Sequence, residues 1–276
     1  MGLKLKQMTS ICLAVLAGFL MAACTQNLFN DVASKDSDDA ILFNAEVAVN
    51  NQDWDIAIAR IVSMSSGGQT LIKAREILAS AYAGKCGLIF VKYTEALGAA
   101  TTGSAMVRLK TPFVGATVDP SQCRLALTQM DLIGLPSARN TNQNFFTAVV
   151  GMVLLGSGLR YYIDNTPTIG DGANDVDICT TVTNAQIDDL IIGFGYMSQN
   201  LSSVTSSAIG GGSLTAITDM NTACQSVGGS TCQITDPALI TTQLRNFFRD
   251  LVNTLEHGVG SFSTGGNDMV IPGACP

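Results

Sequence analysis

The chain has 276 residues, 47% of them apolar and only 13% charged, with one His and one Trp. That length supports a real hydrophobic core, and a charged share about half the usual quarter excludes a disordered tail protein. Lys and Arg number 15 against 22 Asp and Glu, a net charge of −7, the wrong sign for gripping nucleic acid.

Residues 1–23, MGLKLKQMTSICLAVLAGFLMAA, carry Lys4 and Lys6, an apolar stretch from Ile11 to Leu20, and a small-residue ending. These are the three regions of a signal peptide. The apolar stretch is about half the ~20 residues of a membrane span, so it predicts a leader and not a permanent helix. Its ending, Leu20-Met21-Ala22-Ala23-Cys24, resembles the lipobox of bacterial lipoproteins. The resemblance implies that Cys24 becomes the first residue and carries a diacylglycerol thioether, usually with an acyl group on its new amine. Each buried methylene adds about 0.8 kcal/mol, so two or three chains hold essentially irreversibly where one binds marginally. Thr25 stands where an Asp would resemble an inner-membrane retention signal. The implied address is therefore the outer membrane, with the body in the periplasm or at the cell surface.

After a tether at 24–37, apolar residues recur at helical spacing. Ile41, Ala45 and Ala48 share one face, Asn50-Asn51-Gln52-Asp53 is a polar turn, and Trp54, Ala57, Ile58, Ile61 and Val62 share the next face. This predicts a helical hairpin. Ala45, Ala48, Trp54 and Ala57 are matched 34 residues later by Ala79, Tyr82, Leu88 and Val91. The spacing and the small-and-bulky pattern resemble tetratricopeptide repeats over about residues 38–97. The early Trp and late Pro of that motif are absent, and Ala57 becomes the larger Val91. What the resemblance implies is a pair of closely packed hairpins within residues 38–118. A third copy is broken by Thr111-Pro112-Phe113-Val114-Gly115, so residues 119–276 must complete the core as a helical C-terminal half.

Asp119-Pro120 predicts a helix start, followed by Cys123, Leu127 and Met130 on one face. Phe145–Leu159 is apolar all round and contains Gly151, Gly156 and Gly158. At about 1.5 Å per residue it falls short of a ~30 Å hydrocarbon core, so it predicts a buried central helix with glycines where neighbours approach. Thr183 and Gln186 have the spacing of a capping box ahead of Ile187, Leu190, Ile191, Phe194 and Leu201. Asp236-Pro237 predicts the last helix, with Ile240, Leu244, Phe247, Phe248, Leu251, Val252 and Leu255 on one face and His257-Gly258 closing it. Long loops are expected at Gly98–Thr117, Thr166–Cys179 and Ser206–Thr235. The expected class is all-α, stapled by disulfides.

Of eight cysteines, Cys12 leaves with the leader and Cys24 takes lipid. Cys86, Cys123, Cys179, Cys224, Cys232 and Cys275 remain, an even number that predicts disulfides in an exported chain. The short Gly/Ser/Thr-rich span favours Cys224–Cys232, and Cys86–Cys123 comes next because both would lie at helix ends of adjoining hairpins.

Catalytic patterns are few. His257 is the single histidine, and there is no GxSxG, HExxH or Walker loop. The one cluster with ligand potential is Asp171-Gly172-Ala173-Asn174-Asp175-Val176-Asp177. Asp171, Asp175 and Asp177 could wrap calcium, although the DxDxDG alternation is missing, and the plainer reading is an acidic turn in water. The function expected from these features is a non-enzymatic, lipid-anchored helical scaffold. Its hairpin groove, or the segment Ser206–Thr235, would hold an envelope protein partner, and no cofactor beyond the lipid is needed. Tetratricopeptide-like lipoproteins resemble outer-membrane assembly factors and also accessory components of solute transporters. The alternative is a small-molecule or calcium binder, through the aspartates or through an apolar site around Phe145–Leu159.

Overall fold

The computed structural model describes residues 36–165 and 170–260, so the leader, Cys24 and Cys275 lie outside the described residues. Within them are eleven helices and no strand, an all-α fold. The helices are α1 (Asp38–Asn50), α2 (Trp54–Val62), α3 (Ile72–Cys86), α4 (Phe90–Ala99), α5 (Ala105–Lys110) and α6 (Pro120–Asp131). They continue with α7 (Thr141–Ile163), α8 (Asn184–Asn200), α9 (Ser206–Ile209), α10 (Gly211–Gly228) and α11 (Thr242–Asn253).

The first hairpin forms as its pattern predicts. The Ser37 hydroxyl accepts from the Ala40 N–H, and Asp38 and Asp39 sit in the first turn, where negative charge suits the helix dipole. Ile41, Ala45 and Ala48 of α1 and Ala57 and Ile61 of α2 are buried, whereas Val62, at the end of its helix, stays exposed. The chain reverses through Gln52, whose φ is 64°, while the Asp53 N–H donates to the Ala48 carbonyl. Ala48, Ala57 and Ala81 meet in one contact cluster, so α1, α2 and α3 approach closely there through methyl groups, with Val49 and Ile58 packed alongside. The Trp54 indole lies against Gly84 of α3, where a Cβ would stand 2.4 Å from the ring.

The second hairpin departs from expectation. Helix α3 packs chiefly on α6, not on α4, and a Cys86–Cys123 disulfide ties that pair. Tyr93 and Leu97, the buried residues of α4, instead turn towards the C-terminal half, with the Tyr93 ring 5.5 Å from Phe113. Val91, matched in sequence to the buried Ala57, is 62% exposed. The apolar face of α4 thus joins the larger core, in which Tyr93 and Leu97 are buried.

That core centres on α7 and α8, the most extensive helix pair. Helix α7 has 23 residues and starts four residues before Phe145, because Asn140 and Gln143 form a capping box. It is long and apolar enough to cross a membrane, yet most of it is buried inside the fold. A Cβ at Gly156 would stand 2.1 Å from the Leu109 carbonyl oxygen, and one at Gly151 would stand 2.8 Å from that of Gly193. The glycines thus admit α5 and α8 at backbone contact. Thr183 and Gln186 cap α8 reciprocally, and Phe194 meets Phe248 of α11 edge-on at 5.4 Å.

Two expected loops contain helices. Gly98–Thr117 holds α5, and Ser206–Thr235 holds α9 and the 18-residue α10. Ile217, Met220 and Cys224 recur at helical spacing and are buried. The hydroxyls of Thr215, Thr218 and Thr222 each donate to the carbonyl four residues back, so groups that usually compete with a helix are absorbed by it. Asp236-Pro237 opens only a single 3-10 turn, Pro237–Leu239. Helix α11 begins later, capped by Thr241, and ends at Asn253, so His257 lies beyond the helix and does not cap it. Leu255, expected on the buried face, is exposed for the same reason.

Candidate functional site

A concave surface lies where the first hairpin meets the rest of the body. A cleft of about 450 Å³ takes Val49, Gln52 and Trp54 from the α1–α2 turn, Leu88, Phe90 and Val91 from the α3–α4 junction, and Phe146 from α7. A second cleft of about 220 Å³ is lined by Glu76, Asn140 and Gln143 and shares Ser80 and Phe146 with the first. Together they make a trough with an apolar end and a polar end. Phe90 stands edge-on to Phe145 at 6.0 Å while remaining 41% exposed. At the polar end Gln143 Nε2 donates to Glu76 Oε1 at 2.9 Å, which fixes the carboxylate against α7. Lys85 donates to Asp55 at 2.6 Å, and that bond holds the ammonium above its usual range.

Helix α3 is contacted by α1 and α2 of the first hairpin and by α6 and α7 of the larger body, and the trough runs along this junction. The polar turn that ends α1 contributes Asn50 and Gln52 to the same wall as Leu88, Ile89 and Phe90 of the α3–α4 junction. Sequence reading placed the first hairpin but missed Glu76 and Gln143 as a polar terminus. The spacing Asn140-x-x-Gln143 carried the signal, since it marks a helix start ahead of the apolar run.

The acidic segment 171–177 is organised differently from a calcium loop. Asp171 Oδ1 accepts from the Ala173 N–H, and Asp177 Oδ1 accepts from the Cys179 N–H, each carboxylate closing its own local turn. Among the described residues, no three His, Cys, Asp or Glu side chains come together as a group able to hold a metal ion. The cation beneath this segment is Lys110. Its ammonium donates to the Gly172 carbonyl at 2.9 Å and to Asn174 Oδ1 at 3.1 Å, and lies 3.5 Å from Asp164 Oδ2. Asp164 in turn accepts the N–H groups of Asp171 and Gly172, each at 3.0 Å. Burial lowers the Lys110 ammonium from its usual range against the attraction of Asp164, Asp175 and Asp171. The segment that carries the ligand candidates therefore rests, through Gly172 and Asn174, on a lysine some 60 residues away in sequence, a partnership no local spacing reveals.

The cysteine framework is largely in view. Cys86–Cys123 and Cys224–Cys232 are bonded, and Cys179 is also disulfide-bonded. His257 is 9% exposed, with its backbone N–H donating to the Thr254 hydroxyl and its carbonyl accepting from the Met106 N–H. No protein-family model, curated protein or solved structure matches this chain.

Proposed function

We propose that the protein is an outer-membrane lipoprotein, anchored through Cys24, whose helical body is a non-enzymatic scaffold for a partner protein of the envelope. The observation that carries this reading is the trough beside α3, where Trp54, Phe90, Val91 and Phe146 present a contiguous apolar lining beside a polar end at Glu76. Large apolar side chains left at a rim in water mark contact surfaces when they cluster. Aromatic anchors in a concave site supply most of the energy of a protein interface. The tetratricopeptide-like reading is supported by the α1–α2 hairpin and by the contact of Ala48, Ala57 and Ala81, which brings successive helices close. The leader, the small residues before Cys24 and the disulfides support export to an oxidising compartment.

Two measurements test the reading. Labelling cells with a palmitate analogue should tag the native chain, while Cys24→Ser should lose both the label and membrane retention. A photo-reactive residue at position 91 should give one reproducible adduct in intact cells, and the same residue at position 239, also exposed, should not. Equal adduct patterns from both positions would reject the trough as the contact surface.

A further inference from the structure

We infer that the trough beside α3 takes one extended segment of a partner protein, with a basic side chain at the Glu76 end and an apolar pair about four residues along it, against Trp54 and Phe90. The inference rests on the scaffold reading and adds the chemistry of the occupant. Charge decides one end. Glu76 is the only charged side chain that lines either cleft. Its Oε1 accepts one bond, from the neutral Gln143 amide at 2.9 Å, and among the described residues the carboxylate forms no ion pair. The cations nearest in sequence on α3 are already committed, Lys73 to Glu46 at 2.9 Å and Lys85 to Asp55 at 2.6 Å. Arg75, the remaining cation of α3, adjoins Glu76 in the chain, and successive residues of a helix do not face each other. A carboxylate has about four acceptor sites, so Glu76 keeps room for a charge-assisted bond from a partner's ammonium or guanidinium.

Helix α3 sets the distance between the two ends. Glu76, Ser80 and Gly84 recur every four residues and so share one side of the helix; Ser80 lines both clefts, and the Trp54 indole lies against Gly84. At about 1.5 Å per residue, the level of Trp54 is about 12 Å from that of Glu76. An extended chain rises about 3.3 Å per residue, so it covers this span in about four residues, and an even spacing returns its side chains to the same face. The lining suits that conformation better than a helix. Among the described residues the side chains of Asn50, Gln52, Ser80 and Asn142 make no hydrogen bond with one another or with their surroundings, and all four line the trough. An extended backbone brings an unpaired N–H and carbonyl at each residue, which amides and hydroxyls can satisfy, whereas a helix keeps its own groups paired. At the far end Phe90 and Val91 stand exposed beside Phe146, an apolar seat for the anchoring pair.

Trp54 is the only tryptophan in the sequence and lines the trough, so its fluorescence reports occupancy. The full chain in mild detergent is titrated with the peptide acetyl-Arg-Ser-Gly-Ser-Phe-Leu-amide, with the same residues in reverse order, and with a version carrying Gln in place of Arg. A helix-forming alanine-based peptide that sets Arg and Phe about two turns apart is the conformational control. At least one of the two Arg peptides should give a saturable change. Its Gln version should bind about tenfold more weakly, and Glu76→Gln should bind the two alike. Gln keeps an acceptor for the Gln143 amide, so the variant should hold the parental melting temperature, and the Arg-against-Gln comparison on the unaltered chain stands without it. In cells, adding Glu76→Gln should weaken the position-91 adduct several-fold. A single reproducible adduct that Glu76→Gln leaves unchanged overturns this inference and leaves the scaffold reading standing, whereas an adduct pattern no different from that of position 239 takes both down. The inference is also overturned if neither Arg peptide binds saturably, if the Gln version binds as tightly, or if the helical peptide binds more tightly than both.

Discussion

Substituting Gly156 by Ala tests whether α7 and α5 are held at backbone contact. Replacing glycine by alanine inside a helix should by itself stabilise by about 1 kcal/mol. At Gly156 the new methyl would stand 2.1 Å from the Leu109 carbonyl oxygen and 2.7 Å from its carbon, over 1 Å inside ordinary contact. Backbone cannot rotate aside as a side chain can, so α5 must shift bodily. Overpacking of this kind costs about 1–3 kcal/mol, and the upper end applies because the obstacle is main chain. The net effect is a loss of about 1–2 kcal/mol, or roughly 3–6 °C in melting temperature for a body of this size. Gly98, in α4, provides the control, since a Cβ there meets nothing within 4 Å. Gly98→Ala should therefore raise the melting temperature by a degree or two. Thermal unfolding followed by circular dichroism reads both. If Gly156→Ala melts at or above the parent, the close approach of α5 to α7 is wrong.

Gln52 holds a left-handed conformation at the end of α1 that glycine adopts without cost. Gln52→Gly should stabilise by about 0.5–1 kcal/mol in urea titration and, because Gln52 lines the trough, reduce the position-91 adduct. Lys110→Met leaves Asp164 buried without its ammonium and should cost about 3–5 kcal/mol, partly recovered by adding Asp164→Asn; chemical denaturation of both variants decides. Non-reducing peptide mapping should return the linked pairs 86–123 and 224–232. Replacing the pairs by serine should cost about 4 and about 2.5 kcal/mol respectively, because the loops span 37 and 8 residues. Burial holds the Asp189 carboxyl above its ordinary range, against a 2.7 Å bond from the Tyr162 hydroxyl and the pull of Arg124. A carboxyl raised in the fold gives stability that is complete below the ordinary carboxylate range and is lost as pH climbs through the raised value. Asp189→Asn should flatten that part of the stability profile above the ordinary carboxylate range of about pH 4.

What could be read from sequence follows from how local each signal is. The hairpin at 38–62, the capped start of α8 and the glycine-bearing α7 announce themselves within a turn or two, because apolar period, cap residue and breaker lie side by side. Cys224–Cys232 was legible for the same reason. Helix α10 was not. Its threonines and glycines argue for a loop unless one knows that the hydroxyls fold back onto the preceding turn and that Ile217, Met220 and Cys224 have a core to enter. The swing of α4 away from α3 was equally hidden, since Tyr93 and Leu97 would fill either of two neighbouring cores. Lys110 under the acidic segment is the extreme case. A spacing rule sees aspartates near one another, but the cation that holds their loop arrives from another helix. The trough was foreseeable as a hairpin groove, whereas its polar end depends on where α7 begins.

The composition of α7 has a consequence for how such a chain could travel. Under the proposed route it crosses the inner membrane unfolded, so the transport machinery meets α7 before α8 exists to cover it. A segment that apolar risks lodging in the bilayer. Thr141, Asn142, Gln143, Asn144 and Thr147 crowd one end, and Ser157 and Arg160 lie near the other. The stretch from Ala148 to Gly156 that remains free of polar side chains is only about 13 Å long at 1.5 Å per residue. That is less than half of a ~30 Å hydrocarbon thickness. The helix as a whole is therefore long and apolar enough to span, while its uninterrupted apolar stretch is short, and Gln143, one of the polar residues that interrupt it, is part of its cap once folded.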